Sequence, residues 1–212
     1  MKLYTFFRSS AAFRVRIALN LKGLAYEPAF VHLRRGDQHR PEYSAINPQA
    51  LVPALIDDKR LLSQSLAIIE YLDEKYPSPP LLPNDLNGRA RVRSISMLIA
   101  CEIHPLNNLR VLSYLTGELG RSERERDAWY RHWMHDGLAR LEADLLRTAG
   151  TGRFCHGDLP GMADCCLVPQ VFNARRLDCD TSHAQGVMRV FDECMKLEAF
   201  HQAQPSRQPD TE

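Results

Sequence analysis

Two hydroxyls, Ser9 and Ser10, follow Arg8 where a short apolar run gives way to a helical pattern. The start of a helix presents free backbone N–H groups and the positive end of the helix dipole, so an anion is favoured there. One hydroxyl either caps that helix or donates to a thiolate or other anion beside it. A second candidate is Pro53, opening a strand after Asn47-Pro48-Gln49-Ala50-Leu51-Val52. A trans bond there would mark an edge strand. A cis bond would leave the backbone N–H and C=O of Val52 to pair with a ligand's peptide group. A third is Gln64-Ser65 at another helix start. The Ser65 hydroxyl, as N-cap, and the first free N–H groups suit a carboxylate, while the Gln64 carbonyl accepts from an ammonium; together they match an α-amino-acid head group.

The elements that must carry these residues are legible in the periodicity. Lys2–Phe7 reads as a strand, Ala12–Lys22 as a helix stopped by Gly23, and Tyr26–Leu33 as a second strand. Pro41–Ile46 is a short helix or turn, and Val52–Ile56 and Arg60–Leu62 form a hairpin around Asp57-Asp58-Lys59. Leu66–Tyr76 is a helix ending before Pro77. The stretch from Ser78 to Gly88 has linker composition. Beyond it the pattern stays helical, over Arg89–Leu119, Glu123–Leu146, Ala163–Arg176 and Gln185–Phe200, with Pro169 expected to kink or divide the third. The expected organisation is an α/β domain over residues 1–80, an all-α domain over 88–203, and a flexible polar tail over 204–212.

Composition narrows the function. The chain has 212 residues, 44% hydrophobic and 25% charged, enough for a buried core. Lys and Arg number 27 against 26 Asp and Glu, a net charge of +1 that gives no reason to expect nucleic acid or an anionic membrane as partner. No apolar stretch reaches the ~20 residues of a membrane span, and the start lacks the form of a signal peptide, so a cytoplasmic protein is expected. The six cysteines contain no C-x-x-C pair and the eight histidines no H-E-x-x-H spacing, so no metal site is expected. Buried thiols are the expected state of the cysteines.

Taken together, Phe7-Arg8-Ser9-Ser10-Ala11-Ala12-Phe13-Arg14-Val15-Arg16-Ile17-Ala18-Leu19, the Val52-Pro53 and Gln64-Ser65 pairs, His104-Pro105-Leu106-Asn107-Asn108-Leu109-Arg110 and Asp164 through Arg176 resemble the zeta class of the glutathione transferase superfamily. The resemblance runs from residue 1 to about residue 200. It implies a thioredoxin-like N-terminal domain followed by a helical-bundle domain, with glutathione as a regenerated cofactor. It also implies a homodimer and the activity of a maleylacetoacetate or maleylpyruvate isomerase. By the same resemblance Ser9, with Ser10 as its rival, donates to the glutathione sulfur. Val52 before a cis Pro53 pairs with the cysteinyl backbone, and Gln64 and Ser65 hold the γ-glutamyl head. Gln49 and Gln38 lie near the glycyl end, and His104 and Asn108 approach the cofactor or substrate. The chain departs from its class at Ala11, where some members carry cysteine, and at Gly161, which leaves the capping box with Asp164 incomplete.

The implied substrate is a linear cis-enedioic keto acid with two carboxylates. A thiolate that adds to the conjugated carbon turns the double bond into a single one, and its expulsion after rotation gives the trans product. The site must keep a thiol ionised, stabilise the charge that develops, and grip the carboxylates. Arginine suits the grip, through its planar fork, and Arg8, Arg110 and Arg176 are the candidates. Arg14, Arg16 and Arg175 are expected to be structural or exposed. Two other activities fit the same residues: a glutathione-conjugating or dehalogenating transferase of small α-halo acids, and a non-catalytic thioredoxin-like binding module.

Overall fold

The computed structural model describes residues 1–212 and divides into two compact units, Met1–Leu82 with Met195–Glu212, and Pro83–Cys194. The first is built on a four-stranded sheet in the order β2-β1-β3-β4. Its strands are β1 (Lys2–Thr5), β2 (Glu27–Phe30), β3 (Ala54–Asp57) and β4 (Arg60–Ser63), with helices α1 (Ser10–Leu21), α2 (Pro41–Ser44) and α3 (Ser65–Lys75) between and after them. Strands β1 and β2 run parallel across the α1 connection, whereas β3 is antiparallel to both β1 and β4. The apolar faces of α1 and α3 meet over the sheet, and Phe13, Ile17, Leu55, Ile68, Ile69 and Leu72 are wholly or almost wholly buried.

The register decides where the candidate residues emerge. Tyr4 lies opposite Ala54, and Ala54 lies opposite Ser63. The chain leaving β1, the chain entering β3 and the chain leaving β4 therefore share one end of the sheet. Strand β1 stops at Thr5 rather than Phe7, because Phe6 and Phe7 turn into a cluster with Val31, Tyr43 and Val52.

The end of α3 is tied to α1 by a buried cation. Lys22 Nζ donates to Asp73 Oδ1 at 2.8 Å and to the carbonyls of Tyr76 and Pro79. Asp73 Oδ1 also accepts from Leu81 N–H at 2.7 Å, which fastens the linker to the α/β unit.

In the second unit α4 (Leu86–Met97) does not run to Leu119 as its periodicity suggests. It passes into a π-helical stretch, Leu98–Ile103, then the short α5 (His104–Leu106), and restarts as α6 (Leu109–Thr116). The restart is capped by Asn108, whose side chain accepts from Arg110 N–H. Helix α7 (Glu123–Leu146) opens with the capping box Ser122/Glu125. It packs on the π-helical stretch because Gly137 has no Cβ; one would lie 2.7 Å from Ile103 Cγ1. Helix α8 (Met162–Arg176) contains Pro169 and is not divided there. Its start is held from one side: Asp164, buried, accepts from Gly161 N–H and Cys155 N–H, both at 2.8 Å, and Gly161 has no side chain to reciprocate. Helix α9 (Gln185–Met195) begins on the Glu142 carboxylate, which accepts from Gly186 and Val187 N–H.

The predicted helix to Phe200 breaks at Lys196-Leu197, and α10 (Glu198–Ala203) packs against α1 in the α/β unit. The residues expected as a flexible tail, 204–212, form a 3-10 turn at Pro205–Arg207 and return to the same unit, where Asp210 and Glu212 are hydrogen-bonded. Five of the six cysteines are buried, and Cys101 is exposed.

Candidate active site

Ser9 is the N-cap of α1, and its Oγ accepts from Ala12 N–H at 3.2 Å, so its hydroxyl proton is left to donate outward. Ser9 is half-buried, Ser10 is buried, and Arg8 is exposed with its guanidinium over the Phe7 ring. The rivalry between the serines is thus asymmetric: Ser9 alone combines the cap position with access. The turn before it is held by Arg16, which is fully buried and donates to Thr5 Oγ1, Phe6 O, Phe7 O and Ala203 O. Burial lowers the Arg16 pKa to about 10. The guanidinium remains charged at neutral pH, and four oxygens supply the partners that a buried cation requires.

The Val52–Pro53 peptide is cis. Val52 packs with Phe6 and Phe7, so this turn lies beside the one that carries Ser9. It is positioned from behind through the Leu51 carbonyl, which accepts from Asn47 Nδ2 at 2.8 Å and from the Tyr43 hydroxyl at 2.5 Å. Asn47 also accepts from Gln49 N–H, as an Asx turn does. Burial pushes the Tyr43 phenol up to about 12, which keeps it a neutral donor.

Ser65 is not the N-cap of α3 but its first helical residue. The cap position belongs to Gln64, with φ 67° and ψ 118°, outside the regions that side-chain-bearing residues ordinarily occupy. Strain of this kind collects at binding sites. Here it turns the Gln64 amide outward, where Nε2 donates to Gln49 Oε1 at 2.8 Å and Gln49 Nε2 donates to Ser63 Oγ at 3.2 Å. With its N–H engaged, Gln64 presents its carbonyl oxygen as an acceptor. Ser65 is buried, and its Oγ accepts from Arg14 Nη1 at 3.2 Å, which directs the hydroxyl proton away from α1.

These residues meet at one end of the sheet: Ser9 after β1, Val52 before β3, Gln64 and Ser65 after β4, and Gln49 through its bond to Gln64. Gln38 does not join that hydrogen-bonded set. It sits on a 3-10 turn, Asp37–His39, with its Oε1 buried and unpartnered.

In the helical unit His104 Nε2 lies 3.2 Å from Asn108 Nδ2, and Asn108 Oδ1 accepts from Arg110 N–H at 3.2 Å. The loop is fixed to α7 by Trp129 Nε1 on Leu106 O and by Asn107 Nδ2 on Tyr130 O. Arg110 and Arg176 are exposed. Arg176 ends α8 close enough to Tyr130 for its charge to act on that phenol, although burial dominates and raises the phenol's pKa. Arg175 pairs at the surface with Asp192.

Sequence reasoning missed Tyr43 and Asn47 and left Arg14 and Arg16 as structural or exposed; all four are polar side chains buried behind the turns. The signal for Asn47 was available, because an Asn two residues before Gln49 in an N-P-x sequence favours an Asx turn. Nothing in the pattern shows which of the two outcomes, structural or exposed, holds for Arg14 and Arg16.

A mixed four-stranded sheet with the three candidate turns at one end, followed by a helical unit, defines the glutathione transferase fold. Residues 3–80 match the glutathione S-transferase N-terminal domain family. Across 210 residues, 98% of this chain and 97% of the relative, the chain is 50% identical to a probable maleylacetoacetate isomerase of Vibrio cholerae. It is 46% identical over 211 residues to a maleylpyruvate isomerase of a Ralstonia species, covering 100% of both chains. Among solved structures, one of a maleylpyruvate isomerase, described as a bacterial glutathione S-transferase of the zeta class, superposes with a TM-score of 0.97 at 46% identity over 100% of both chains. A maleylacetoacetate isomerase of Methylobacterium extorquens, solved with malonate and glutathione bound, also gives 0.97 at 45% identity over 100% of both chains. The chain belongs to the zeta class of the glutathione S-transferases.

Proposed function

We propose that this chain is a glutathione-dependent cis–trans isomerase of maleyl keto acids, converting maleylacetoacetate or maleylpyruvate to the fumaryl form. The carrying observation is the convergence of Ser9, Val52 and the Gln49–Gln64–Ser65 set at one end of the sheet, backed by full-length relatives that bear those isomerase names.

The donor set fits glutathione. Gln64, with its N–H committed to Gln49, offers its carbonyl oxygen to the γ-glutamyl ammonium. Ser65, with Arg14 donating to its oxygen, offers its proton to the α-carboxylate, beside the first N–H groups of α3. Val52 offers its backbone N–H and C=O to the cysteinyl peptide. Gln49 and, further off, Gln38 serve the glycyl end. His104 and Asn108 supply contacts from the helical unit.

Bound glutathione supplies a thiolate that adds reversibly to the substrate's conjugated carbon and leaves unchanged. The Ser9 hydroxyl donates toward the sulfur, and the α1 N-terminus adds its positive end, so the ionised form is favoured near neutral pH. Arg8, Arg110 and Arg176 hold the two carboxylates by paired N–H donors while the middle of the substrate turns. Of the two serines, Ser9 is the one assigned to the sulfur, because it is accessible and its proton is unused. As in the class it resembles, the protein would work as a cytoplasmic homodimer, and sedimentation checks the dimer.

The test is a spectrophotometric assay with maleylpyruvate, maleylacetoacetate and a small α-halo acid, each with and without glutathione. Glutathione-dependent loss of the cis acids supports the isomerase. Turnover confined to the α-halo acid, with thiol consumed, makes the protein a conjugating transferase, and failure to bind glutathione makes it a non-catalytic module.

A further inference from the structure

The Phe6–Phe7 peptide group is gripped at both ends. Its carbonyl oxygen accepts from Ser9 N–H at 2.9 Å and from Arg16 Nη1 at 3.4 Å. Its N–H donates to Asp210 Oδ2 at 2.9 Å, across 203 residues of sequence. A peptide group is planar, so whatever fixes the N–H fixes the direction of the carbonyl. That carbonyl receives the Ser9 amide and so sets where the α1 cap begins.

Asp210 is itself held. It follows the Pro205–Arg207 turn, where Gln208 Nε2 donates to Gln202 O and Gln204 O, and the Thr211 hydroxyl bonds Pro205 O. Two residues on, Glu212 Oε1 accepts from Arg35 Nη2 at 2.9 Å and meets His32 Nε2 at 2.7 Å. Arg16 ties the same segment in from the other side, through Ala203 O. The remaining Asp210 oxygen, Oδ1, is buried without a partner. The Asp210 charge lies near the Arg16 guanidinium.

We propose that Asp210 is a positioning residue for the catalytic hydroxyl: the C-terminal segment straps the Phe6–Phe7 peptide, and through it the Ser9 cap, in the orientation that receives the thiolate. The proposal rests on the assignment of Ser9 to the glutathione sulfur. It makes a segment of tail-like composition part of the active-site framework.

The experiment compares the wild type with Asp210→Ala, Asp210→Asn and a chain ending at Gln208. Each is measured by ultraviolet titration of bound glutathione thiolate, by calorimetric glutathione affinity and by thermal unfolding. Asn keeps a side-chain oxygen that can accept from Phe7 N–H. The expected result is a higher thiol pKa and about tenfold weaker binding of glutathione in the Ala variant and the shortened chain, with most of the effect rescued by Asn. Variants that lose thermal stability while retaining the wild-type thiol pKa would overturn the proposal, leaving Asp210 a structural tie. If the shortened chain does not fold, Asp210→Ala decides, because it removes only the acceptor of Phe7 N–H and leaves the rest of the segment in place: a raised thiol pKa in a folded Ala variant upholds the proposal, and an unchanged one overturns it. A wild type that binds no glutathione instead refutes the assignment of Ser9 and the function with it.

Discussion

At the scale of single residues the account separates groups that touch the ligands from groups that aim them. Ser9→Ala removes both the outward donor and the α1 cap. It is expected to raise the pKa of the bound thiol, to lower kcat by about 10- to 100-fold, and to cost about 1 kcal/mol of stability. Ser10→Ala, at a buried position inside the helix, is expected to leave the thiolate titration unchanged. Arg176→Ala is expected to raise KM for the dicarboxylic acid about tenfold or more while calorimetry shows unchanged glutathione affinity; normal kinetics would remove it from the site. The placement of Ser9, Val52, Gln64 and Ser65 at element boundaries was legible in the sequence, because hydroxyls, amides and prolines mark such boundaries, although Ser65 falls one residue inside α3 rather than at its cap. Arg14 and Arg16 were legible only as structural or exposed. A buried arginine and a solvated one are the same letter, and only the folded chain shows that one donates to Ser65 and the other to four backbone and hydroxyl oxygens. The Gln64 conformation was hidden for a similar reason: φ is a property of the pairing between β4 and its neighbours, not of glutamine.

At the scale of elements, the end of the sheet opposite the candidate site and the C-termini of α1 and α3 are closed by two ion pairs. Asp57 closes the β3–β4 hairpin by accepting from Lys75 Nζ at 2.6 Å and from the Tyr71 hydroxyl at 2.9 Å. The Lys75 bond holds the Asp57 carboxyl below its ordinary value, against a smaller opposing effect of burial. A carboxyl lowered on folding contributes stability above its unfolded pKa of about 3.9 and loses it as the pH falls through the lower folded value. Asp57→Asn is therefore expected to reduce the unfolding free energy at neutral pH by about 1 kcal/mol and to flatten the acid limb of the stability profile. A parallel acid limb in the two proteins would contradict it. Lys22→Met leaves Asp73 buried without its cation and frees the carbonyls of Tyr76 and Pro79, so a loss of about 3–5 kcal/mol is expected in denaturant unfolding. The order of elements in the α/β unit could be read from periodicity and breakers. The interruption at Leu98–Ile103 could not, because the residues there keep a helical apolar spacing.

At the scale of the whole molecule, the chain divides into an α/β unit that includes its last residues and a helical unit. The linker at Ser78 to Gly88 was visible from its prolines and glycine. The destination of the last residues was not. A polar run with two prolines reads as frayed, yet it is held by Phe7 N–H, Arg35 and His32, partners too distant in sequence for any local pattern to announce. The central claim concerns the reaction itself, that glutathione is used and returned. Enzyme is supplied with the cis keto acid in large excess over glutathione, and both the trans product and free thiol are followed to completion. The account predicts full conversion of the acid with the thiol intact at the end. Conversion that stops when one equivalent of glutathione has been consumed would contradict it.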